Sequence, residues 1–338
     1  MPKMRVRQAV ALALADEMRV DPSVIIFGED IAAAEGPFKT SEGLLAEFGP
    51  MRVRDTPISE MAFTGAAVGA AVMGLRPVIE IMFMEFLGVA LDQLVTEAAK
   101  MHYLSAGELT VPMVVRASVG SGLGFGCQHS QTLENWVTAT PGLKVVSPSD
   151  GQSAYGLLRA AIRDPNPVVV LEPRHLYAER HEVRVGEEGI LPIGRARRLR
   201  SGGAMTVVAL GGTVEVAMAA VEDSDIDATV IDLLTLVPWD RDTVLDSVRE
   251  TGRVVVIEDS PVSGGWGHEI VSTVTTAAFA DLKAPPFRIC APDVPVPFAK
   301  DLEARFRPTA KDCAVALSEY LSTGQVPDMW WVREGVGA

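Results

Sequence analysis

Short runs of β-branched and other apolar residues alternate with longer alanine-rich segments along this chain. The first half contains five such runs: VIIF (24–27), PVIEIMF (77–83), PMVVRA (112–117), LKVVSP (143–148) and PVVVLEP (167–173). Nearly continuous apolar strands that are separated by helices are typical of a parallel sheet covered by helices on both faces. The alternation therefore predicts the α/β class.

The pattern stops and then starts again in the second half. Residues 174–203 are charged and interrupted by glycine, and four more apolar runs follow: TVVALGG (206–212), ATVIDLL (228–234), RVVVIED (253–259) and FRICAP (287–292). A chain of 338 residues is long enough for two ordinary domains. We predict two doubly wound domains at 1–175 and 204–338, joined by a linker at 176–203.

Charge and cysteine content narrow the class of protein. The net charge of −14 argues against binding to nucleic-acid phosphates, since that affinity comes mostly from Lys and Arg. Three widely spaced cysteines fit neither a disulfide framework nor a CxxC metal site. Acidic residues by position 16 argue against a signal peptide, and no apolar run is long enough to span a bilayer. We expect a cytoplasmic protein with neither nucleic-acid nor membrane partners.

One histidine follows a glycine-rich stretch. The segment GSGLGFGCQHSQTLENW (120–136) places His129 among polar neighbours just before a predicted helix. Loops beside strand ends are where α/β folds keep their chemistry, which makes His129 a candidate catalytic residue. The alternative is a histidine that only makes contacts at a helix start. Common motifs such as G-x-G-x-x-G, the Walker loop, G-x-S-x-G and H-E-x-x-H are absent from the sequence.

A single carboxylate stands at the entrance of a segment without charge. In DTPISEMAFTGAAVGAAVMGLRP (55–77), Glu60 is followed by fifteen residues, 61–75, that carry no ionisable side chain. Ser59 is a good helix N-cap and the helix dipole favours an acid in the first turn, which would explain a glutamate there. It would not explain the apolar run, where Gly65 and Gly69 allow another backbone to approach closely. We therefore expect Glu60 to be buried, and its carboxyl group to be paired, to have a raised pKa, or both.

Longer stretches of the sequence resemble a known family. FGEDIA, EGPFKTSEGLLAEFGPMRVRDTPISE, GLRPVIEIMFMEF, LDQLVTEAAK, QHSQ, PGLKVVSPSD, AIRDPNPVVVLEP and APDVPVPFAK are similar to the β subunits of the thiamine-diphosphate-dependent 2-oxo acid dehydrogenases, which are transketolase-like. The resemblance covers nearly the whole chain in order. It implies a pyrimidine-binding domain followed by a transketolase C-terminal-type domain.

The resemblance also implies partners and cofactors. In the family, an α subunit holds the diphosphate and Mg²⁺ through a GDG motif, which this sequence lacks. We therefore expect a heterotetramer of two α and two β chains, which binds thiamine diphosphate and passes an acyl group to the lipoyl arm of an acyltransferase.

Particular residues match the family's functional positions. Glu60 matches the glutamate that shares a proton with the pyrimidine ring nitrogen, and His129 matches the histidine that assists acyl transfer. Glu29 matches an acidic residue proposed to connect two cofactor sites, with a simple strand-end carboxylate as the alternative. Phe86 and Met82 match the walls against the pyrimidine, where plain core packing is the alternative, and Ile58 belongs to the same cofactor-binding set.

The sequence alone decides neither the substrate nor whether a monovalent cation binds. The backbone around Ala161, Asp164 and Asn166 resembles a loop that can hold a monovalent cation such as K⁺, although a proline-rich turn needs no ion. The histidine segment is most similar to acetoin-cleaving members, whereas VVSPSD and DVPVPF also suit pyruvate enzymes, and the branched-chain members look more distant. Two alternatives to the dehydrogenase remain: a carboligase without a lipoyl partner, and an inactive structural homologue. The terminal DMWWVREGVGA extends past the usual family end, and we expect Trp330 and Trp331 to dock on this chain or a partner.

Overall fold

The computed structural model describes residues 1–333 and 335, which form two compact units. The first unit contains Met1–Val119 and Trp136–Ile193. The second contains Gly120–Asn135 and the described chain from Gly194 onward. Each unit is α/β with a mainly parallel sheet, so the predicted fold class is confirmed.

The boundary between the two units falls near the predicted domain boundary. The chain passes from one unit to the other between Ile193 and Gly194, inside the predicted linker at 176–203. The ranges 1–175 and 204–338 remain a prediction, and positions 334 and 336–338 of the second lie outside the described residues.

The helices and strands of the first part of the chain follow the predicted alternation. They are β1 (Lys3–Arg5), α1 (Val6–Val20), β2 (Val24–Gly28), α2 (Leu44–Phe48), β3 (Val53–Asp55), α3 (Glu60–Val72), β4 (Arg76–Ile81), α4 (Leu87–Leu91), α5 (Ala99–Leu104), β5 (Val114–Val119), α6 (Asn135–Thr138), β6 (Lys144–Val146), α7 (Gly151–Arg163), β7 (Val168–Pro173) and β8 (Arg180–Glu182). A π-helical turn, Asp92–Ala98, joins α4 to α5, and 3₁₀ turns occupy Met84–Phe86, Arg174–Ala178 and Glu187–Gly189.

Six strands of the first unit form a parallel sheet in the order β6-β7-β5-β4-β2-β3. Every residue of β5 and β7 is buried, which is the result expected when helices cover both faces of a sheet. Parallel strands end at the same edge, so the C-terminal residues of β2, β4, β5 and β7 lie side by side. This edge carries Glu29, Met82 and Phe86, whereas Ala161, Asp164 and Asn166 precede β7 and lie at the opposite edge.

The second unit repeats the plan with fewer strands. Its elements are β9 (Arg197–Arg200), β10 (Met205–Ala209), α8 (Thr213–Asp223), β11 (Ala228–Asp232), β12 (Thr235–Val237), α9 (Arg241–Thr251), β13 (Val254–Pro261), α10 (Gly267–Ala277), β14 (Phe287–Ala291), α11 (Lys300–Glu303), α12 (Ala310–Thr323) and α13 (Trp330–Arg333), with a 3₁₀ turn at Phe279–Asp281. The sheet order is β14-β13-β10-β11-β9, and only β9, at the edge, runs antiparallel to its neighbour.

Two tryptophans attach the C-terminal segment to the second unit. The indole Nε1 of Trp330 donates to the carbonyl oxygen of Arg305 at 2.9 Å, and that of Trp331 donates to the carbonyl oxygen of Cys290 at 3.0 Å. Trp330 is 7% exposed and belongs to the core that includes Phe287. The expected docking of both side chains is therefore met within this chain.

Two further features bear on the protein class. All three cysteines are free thiols, with Cys127 exposed and Cys290 and Cys313 buried. Burial raises the pKa of Cys290 to about 12. Across the described part of the chain, no helix combines the length and apolar character needed to cross a membrane.

Candidate active site

Glu60 is the first residue of α3, and its side chain is only 7% exposed. Ser59 occupies the N-cap position, but its side chain makes no capping hydrogen bond, so the predicted cap is not formed. The burial predicted for Glu60 is confirmed. Within the described chain, its carboxylate has no hydrogen-bond or ion-pair partner.

Glu29 follows directly after β2 and lies within electrostatic range of Glu60. Burial raises the pKa of Glu29, and the negative charges of Glu60 and Asp30 raise it further. Its Oε1 is buried without a hydrogen-bond partner. The carboxylates of Glu29 and Glu60 can therefore still accept hydrogen bonds or share a proton. The group that would do so is not provided by the described chain.

The chain after Glu29 is fixed by β3. The carboxylate of Asp55, the last residue of β3, accepts hydrogen bonds from the amides of Ala32 and Ala33 at 2.7 and 3.2 Å. Gly28 allows close packing at this point, because a Cβ there would lie 2.7 Å from the carbonyl oxygen of Glu80. The sheet edge therefore determines where Glu29 lies.

A buried ion network lies beneath this edge. Arg116 on β5 donates to Glu172 through Nε and Nη2, both at 2.8 Å, and to Glu80 through Nη1 at 2.6 Å. Tyr177 and Thr40 complete it with hydrogen bonds to Glu172 and Glu80, respectively. Burial alone would lower the pKa of Arg116, but the charges of Glu172 and Glu80 raise it overall. Loss of one partner would leave a buried charge uncompensated, which costs about 3–5 kcal/mol.

The predicted cofactor walls are both half-buried: Met82 directly follows β4, and Phe86 ends the 3₁₀ turn Met84–Phe86. Ser118 donates a short hydrogen bond to the carbonyl oxygen of Met82, and Arg174 Nε donates to Ser118 Oγ at 3.2 Å. The guanidinium of Arg174 also lies 4.7 Å from the ring centroid of Phe83, and Phe83 packs edge-on against Phe86. A buried arginine thus supports the turn that carries both walls.

Ile58 and α3 differ in part from expectation. The side chain of Ile58 is 85% exposed, so within this chain it forms no wall. One face of α3 is buried, whereas Met61 on the helix and Met73, just after its end, are 50% and 83% exposed. Gly65 lies against Gln93 of the π-helical turn, while a Cβ at Gly69 would meet nothing within 4 Å. At Gly65 the neighbour is the side chain of Gln93 and at Gly69 there is none, so the described chain brings no second backbone close to either glycine, and the predicted backbone approach stays a prediction.

The predicted monovalent-cation loop already interacts with two basic side chains. Arg76 Nη1 donates to the carbonyl oxygens of Ile162 and Asp164 at 2.8 and 3.2 Å. The carboxylate of Asp164 accepts from the backbone amide of Asn166 and from Lys144 Nζ. The carbonyl oxygen of Ala161 accepts the amide of Asp164 at 3.2 Å.

His129 belongs to the second unit, in the glycine-rich segment 120–135. It is half-buried, and its backbone amide donates to the carbonyl oxygen of Gly126 at 3.2 Å. The base of the segment is closed by a 3.2 Å hydrogen bond from the amide of Gly120 to the carbonyl oxygen of Gln131. The segment is therefore a loop closed by its own backbone, and Ser130 within it is 1% exposed, with no partner for its hydroxyl among the described residues.

Three carboxylates lie where this loop meets β13: Glu134 and Glu258 are buried, and Asp259 is half-buried. Glu134 accepts a 3.0 Å hydrogen bond from Ser260 Oγ, and Thr132 Oγ1 donates to the carbonyl oxygen of Asp259 at 3.0 Å. Burial and the charge of Asp259 raise the pKa of Glu134 to about 8, and burial also raises the pKa of Asp259. Glu258, paired with Arg288 at 2.7 Å, has a pKa that burial raises to about 7.

The sequence did not reveal Arg174, Ser118 or Glu303 as residues that hold these candidates. Glu303 of α11 accepts hydrogen bonds from two glycine amides of the His129 loop. No local motif marks these three, because each reaches its partner across a gap of 36 residues or more. The sequence offered one signal for these supporting residues. Charged residues, Glu172 and Arg174, stand at the end of an otherwise apolar strand run.

Comparison with known protein families gives two matches. The family described as "Transketolase, pyrimidine binding domain" matches residues 2–180, and the family described as "Transketolase, C-terminal domain" matches residues 194–313.

Curated relatives extend over most of the chain. The pyruvate dehydrogenase E1 component subunit beta-2, mitochondrial, of Oryza sativa subsp. japonica is 44% identical over 316 residues, which is 92% of this chain and 84% of the relative. The pyruvate dehydrogenase E1 component subunit beta of Rickettsia felis is 41% identical, covering 94% of this chain and 98% of the relative. That of Rhizobium meliloti is 42% identical over 94% of this chain and 70% of the relative.

Solved structures share the fold. A structure titled "Split gene transketolase, inactive beta4 tetramer" superposes with a TM-score of 0.77 at 23% identity, covering 94% of this chain and 98% of that one. Transketolase from Leishmania mexicana gives a TM-score of 0.71 at 20% identity, over 97% of this chain and 47% of that one.

Proposed function

Because the chain belongs to the β subunits of the pyruvate dehydrogenase E1 component, we propose that it works with an α subunit to decarboxylate a 2-oxo acid. In this proposal the acyl group passes to the lipoyl arm of an acyltransferase. The observation that carries it is the buried, unpartnered carboxylate of Glu60 beside Glu29. The membership identifies the chain as a component of a thiamine-diphosphate-dependent oxidoreductase.

The residues of the first unit fit the aminopyrimidine half of that cofactor. A pyrimidine ring offers nitrogen atoms that can share a proton with a buried carboxyl and an apolar face that can stack on an aromatic ring. Glu60 supplies the first feature and the half-buried Phe86 and Met82 the second. The orphaned Oε1 of Glu29 is a further sign that a polar partner is missing.

When bound, thiamine diphosphate would supply a nucleophilic carbon for addition to the carbonyl group of the 2-oxo acid. Glu60 holds a proton against the pyrimidine ring nitrogen, and its exclusion from water keeps the proton shared. His129 acts at the acyl group, where an imidazole can donate or accept a proton near neutral pH. Glu29, with its raised pKa, can hold or release a proton beside Glu60.

The diphosphate and Mg²⁺ are proposed to be held by the α subunit. Among the described residues of this chain, no three His, Cys, Asp or Glu side chains come together to bind a metal ion. The proposed assembly contains two α and two β chains, and the exposed side chains of Met61 on α3 and Met73 just after it are available for contact. The three free thiols are compatible with a reducing compartment, which supports the cytoplasm as the proposed location.

A K⁺ site at Ala161, Asp164 and Asn166 is also proposed. Arg76 already binds the Asp164 carbonyl, so K⁺ would have to share it. If the ion binds, replacing potassium chloride by choline chloride should lower the melting temperature of the assembled protein. An unchanged melting temperature would argue against the site.

The proposed function is tested by co-expression with its α chain. The purified assembly should decarboxylate pyruvate with an artificial electron acceptor and acylate a lipoyl domain, whereas the β chain alone should do neither. Acetoin and branched 2-oxo acids are the comparison substrates. Carboligation without lipoyl acylation would instead favour the synthase alternative, and activity of β alone would contradict the shared site.

A further inference from the structure

The loop that carries His129 contains four glycines with positive φ, and three of them lie between Gly120 and His129. Gly122, Gly124 and Gly126 have φ values of +102°, +75° and +73°. Residues with a side chain rarely adopt such conformations, so the path of the loop depends on glycine. Because glycine allows the unfolded loop many backbone conformations, a contact from outside the loop is needed to stabilise one of them.

Glu303 makes that contact. It is the last residue of α11 and is only 3% exposed. Its Oε1 accepts the amide of Gly122 at 2.8 Å, and its Oε2 accepts the amide of Gly124 at 2.9 Å. Hydrogen bonds to a carboxylate are about twice as strong as neutral ones, and a buried carboxylate needs such partners. The two amides and the carboxylate therefore stabilise each other.

Neighbouring side chains hold the same part of the loop. A Cβ added at Gly122 would lie 3.2 Å from Cζ of Arg307, and one at Gly126 would lie 3.2 Å from Cδ2 of Phe298. Gly126 also accepts the amide of His129. The contacts thus run from α11 through the glycines to the backbone of His129.

We propose that Glu303 is a positioning residue for His129, a role that rests on the function proposed above for that histidine. By binding two amides at once, the carboxylate fixes the glycine-rich loop in one path. The path sets where the imidazole lies. Glu303 itself need not touch substrate or cofactor.

The first test compares three variants of the co-expressed assembly. Glu303→Gln keeps the size but leaves only one acceptor oxygen, Glu303→Asp keeps the charge on a shorter arm, and Asp301→Asn changes an exposed acid on the same helix. Amide hydrogen exchange of the loop should accelerate about ten- to hundred-fold in Glu303→Gln, less in Glu303→Asp, and not in Asp301→Asn. Unchanged exchange in Glu303→Gln would overturn the proposal.

The second test asks whether Glu303 acts through the histidine. Acylation of a lipoyl domain should fall about ten-fold or more in Glu303→Gln, with the cofactor dissociation constant unchanged. In a His129→Ala background, the same substitution should cause no further loss, because the group that it positions is gone. An equal loss in both backgrounds would overturn the positioning role.

The outcomes separate this inference from the proposed function. If His129→Ala acylates a lipoyl domain normally, the role proposed for His129 fails, and positioning for that role fails with it. The hydrogen-exchange result then still decides whether Glu303 holds the loop. If His129→Ala is impaired but Glu303→Gln is not, only the inference about Glu303 is overturned.

Discussion

Arg174 Nε donates a 3.2 Å hydrogen bond to Ser118 Oγ, and the hydroxyl of Ser118 donates to the carbonyl oxygen of Met82. This pair joins the ends of β7 and β5 to the end of β4. Since Met82 and Phe86 are the proposed walls of the cofactor site, a change at Ser118 should be felt by the cofactor.

We predict that Ser118→Ala weakens thiamine diphosphate binding. The substitution removes both hydrogen bonds of Ser118, each worth about 0.5–1.5 kcal/mol, which corresponds to a roughly five- to 160-fold higher dissociation constant if the whole cost falls on the bound state. Titration of the α–β assembly with cofactor measures it. Ser147→Ala is the matched control, because Ser147 is equally buried and donates to the carbonyl oxygen of Leu171 at 2.8 Å. Equal affinity loss in both variants would contradict the specific role.

Glu60→Gln should leave the assembly folded but lower the exchange of the cofactor C2 proton by about 10²–10⁴-fold, as expected for the loss of a general acid or base. Exchange is followed by NMR after deuterium labelling. Glu215, an exposed acid in the first turn of α8, provides the control for a pure helix-dipole effect. If the cofactor C2 proton exchanges as fast in the Glu60→Gln variant as in the Glu215→Gln variant, then helix stabilisation is the only role left for Glu60.

His129→Ala should bind thiamine diphosphate with normal affinity but lose acylation of a lipoyl domain, again by about 10²–10⁴-fold. The reason is that the imidazole is proposed to act on the acyl group and not on the pyrimidine. His102→Ala, in the exposed part of α5, serves as the control. Normal acylation by His129→Ala would refute the assignment.

The buried carboxylates near the His129 loop predict a loss of stability as the pH rises. In the folded protein Glu134 keeps its proton up to about pH 8, whereas its ordinary pKa is 4.5. Between these values the folded state binds more protons than the unfolded state, so the free energy of unfolding falls as pH increases. Glu258, with a pKa of about 7, acts in the same direction.

Glu134→Gln should therefore flatten the pH dependence. Melting temperatures of the assembly at pH 5.5, 7 and 8.5 should fall less in this variant than in the unmodified protein. Glu258→Gln is unsuitable as a control because it breaks the pair with Arg288; the exposed Glu269 of α10 offers Glu269→Gln instead. A parallel decline in the Glu134→Gln variant and the unmodified protein would show that Glu134 does not titrate in this range.

The sequence predicted the central strands well because their burial on both faces leaves a continuous apolar pattern. The runs at 112–117 and 167–173 became β5 and β7, each fully buried. The short strand β3 was missed, since in Val53–Asp55 only Val53 is buried and the pattern is lost. Family membership confirms the resemblance, and it favours neither the branched-chain nor the lipoyl-independent alternative.

The site was harder to predict than the fold. Burial of Glu60 followed from the charge-free segment behind it, and this prediction was confirmed. The supports of the candidates could not be foreseen, because the partners of Ser118 and of Gly122 are brought near only by tertiary folding. The docking of Trp330 and Trp331 was foreseen from their size and apolarity, but their carbonyl partners on Arg305 and Cys290 were not.

The contact between Gly122 and Glu303 also has a consequence for how the protein is made. The two residues are 181 positions apart. At about 5–20 residues per second, a ribosome needs roughly 9–36 s to travel from one to the other. Through that time the nascent loop has no carboxylate to bind, although most of the first unit's strands have already emerged. The His129 loop should therefore be among the last parts of the chain to become ordered, and an assembly factor or the α subunit would meet it while it is still open.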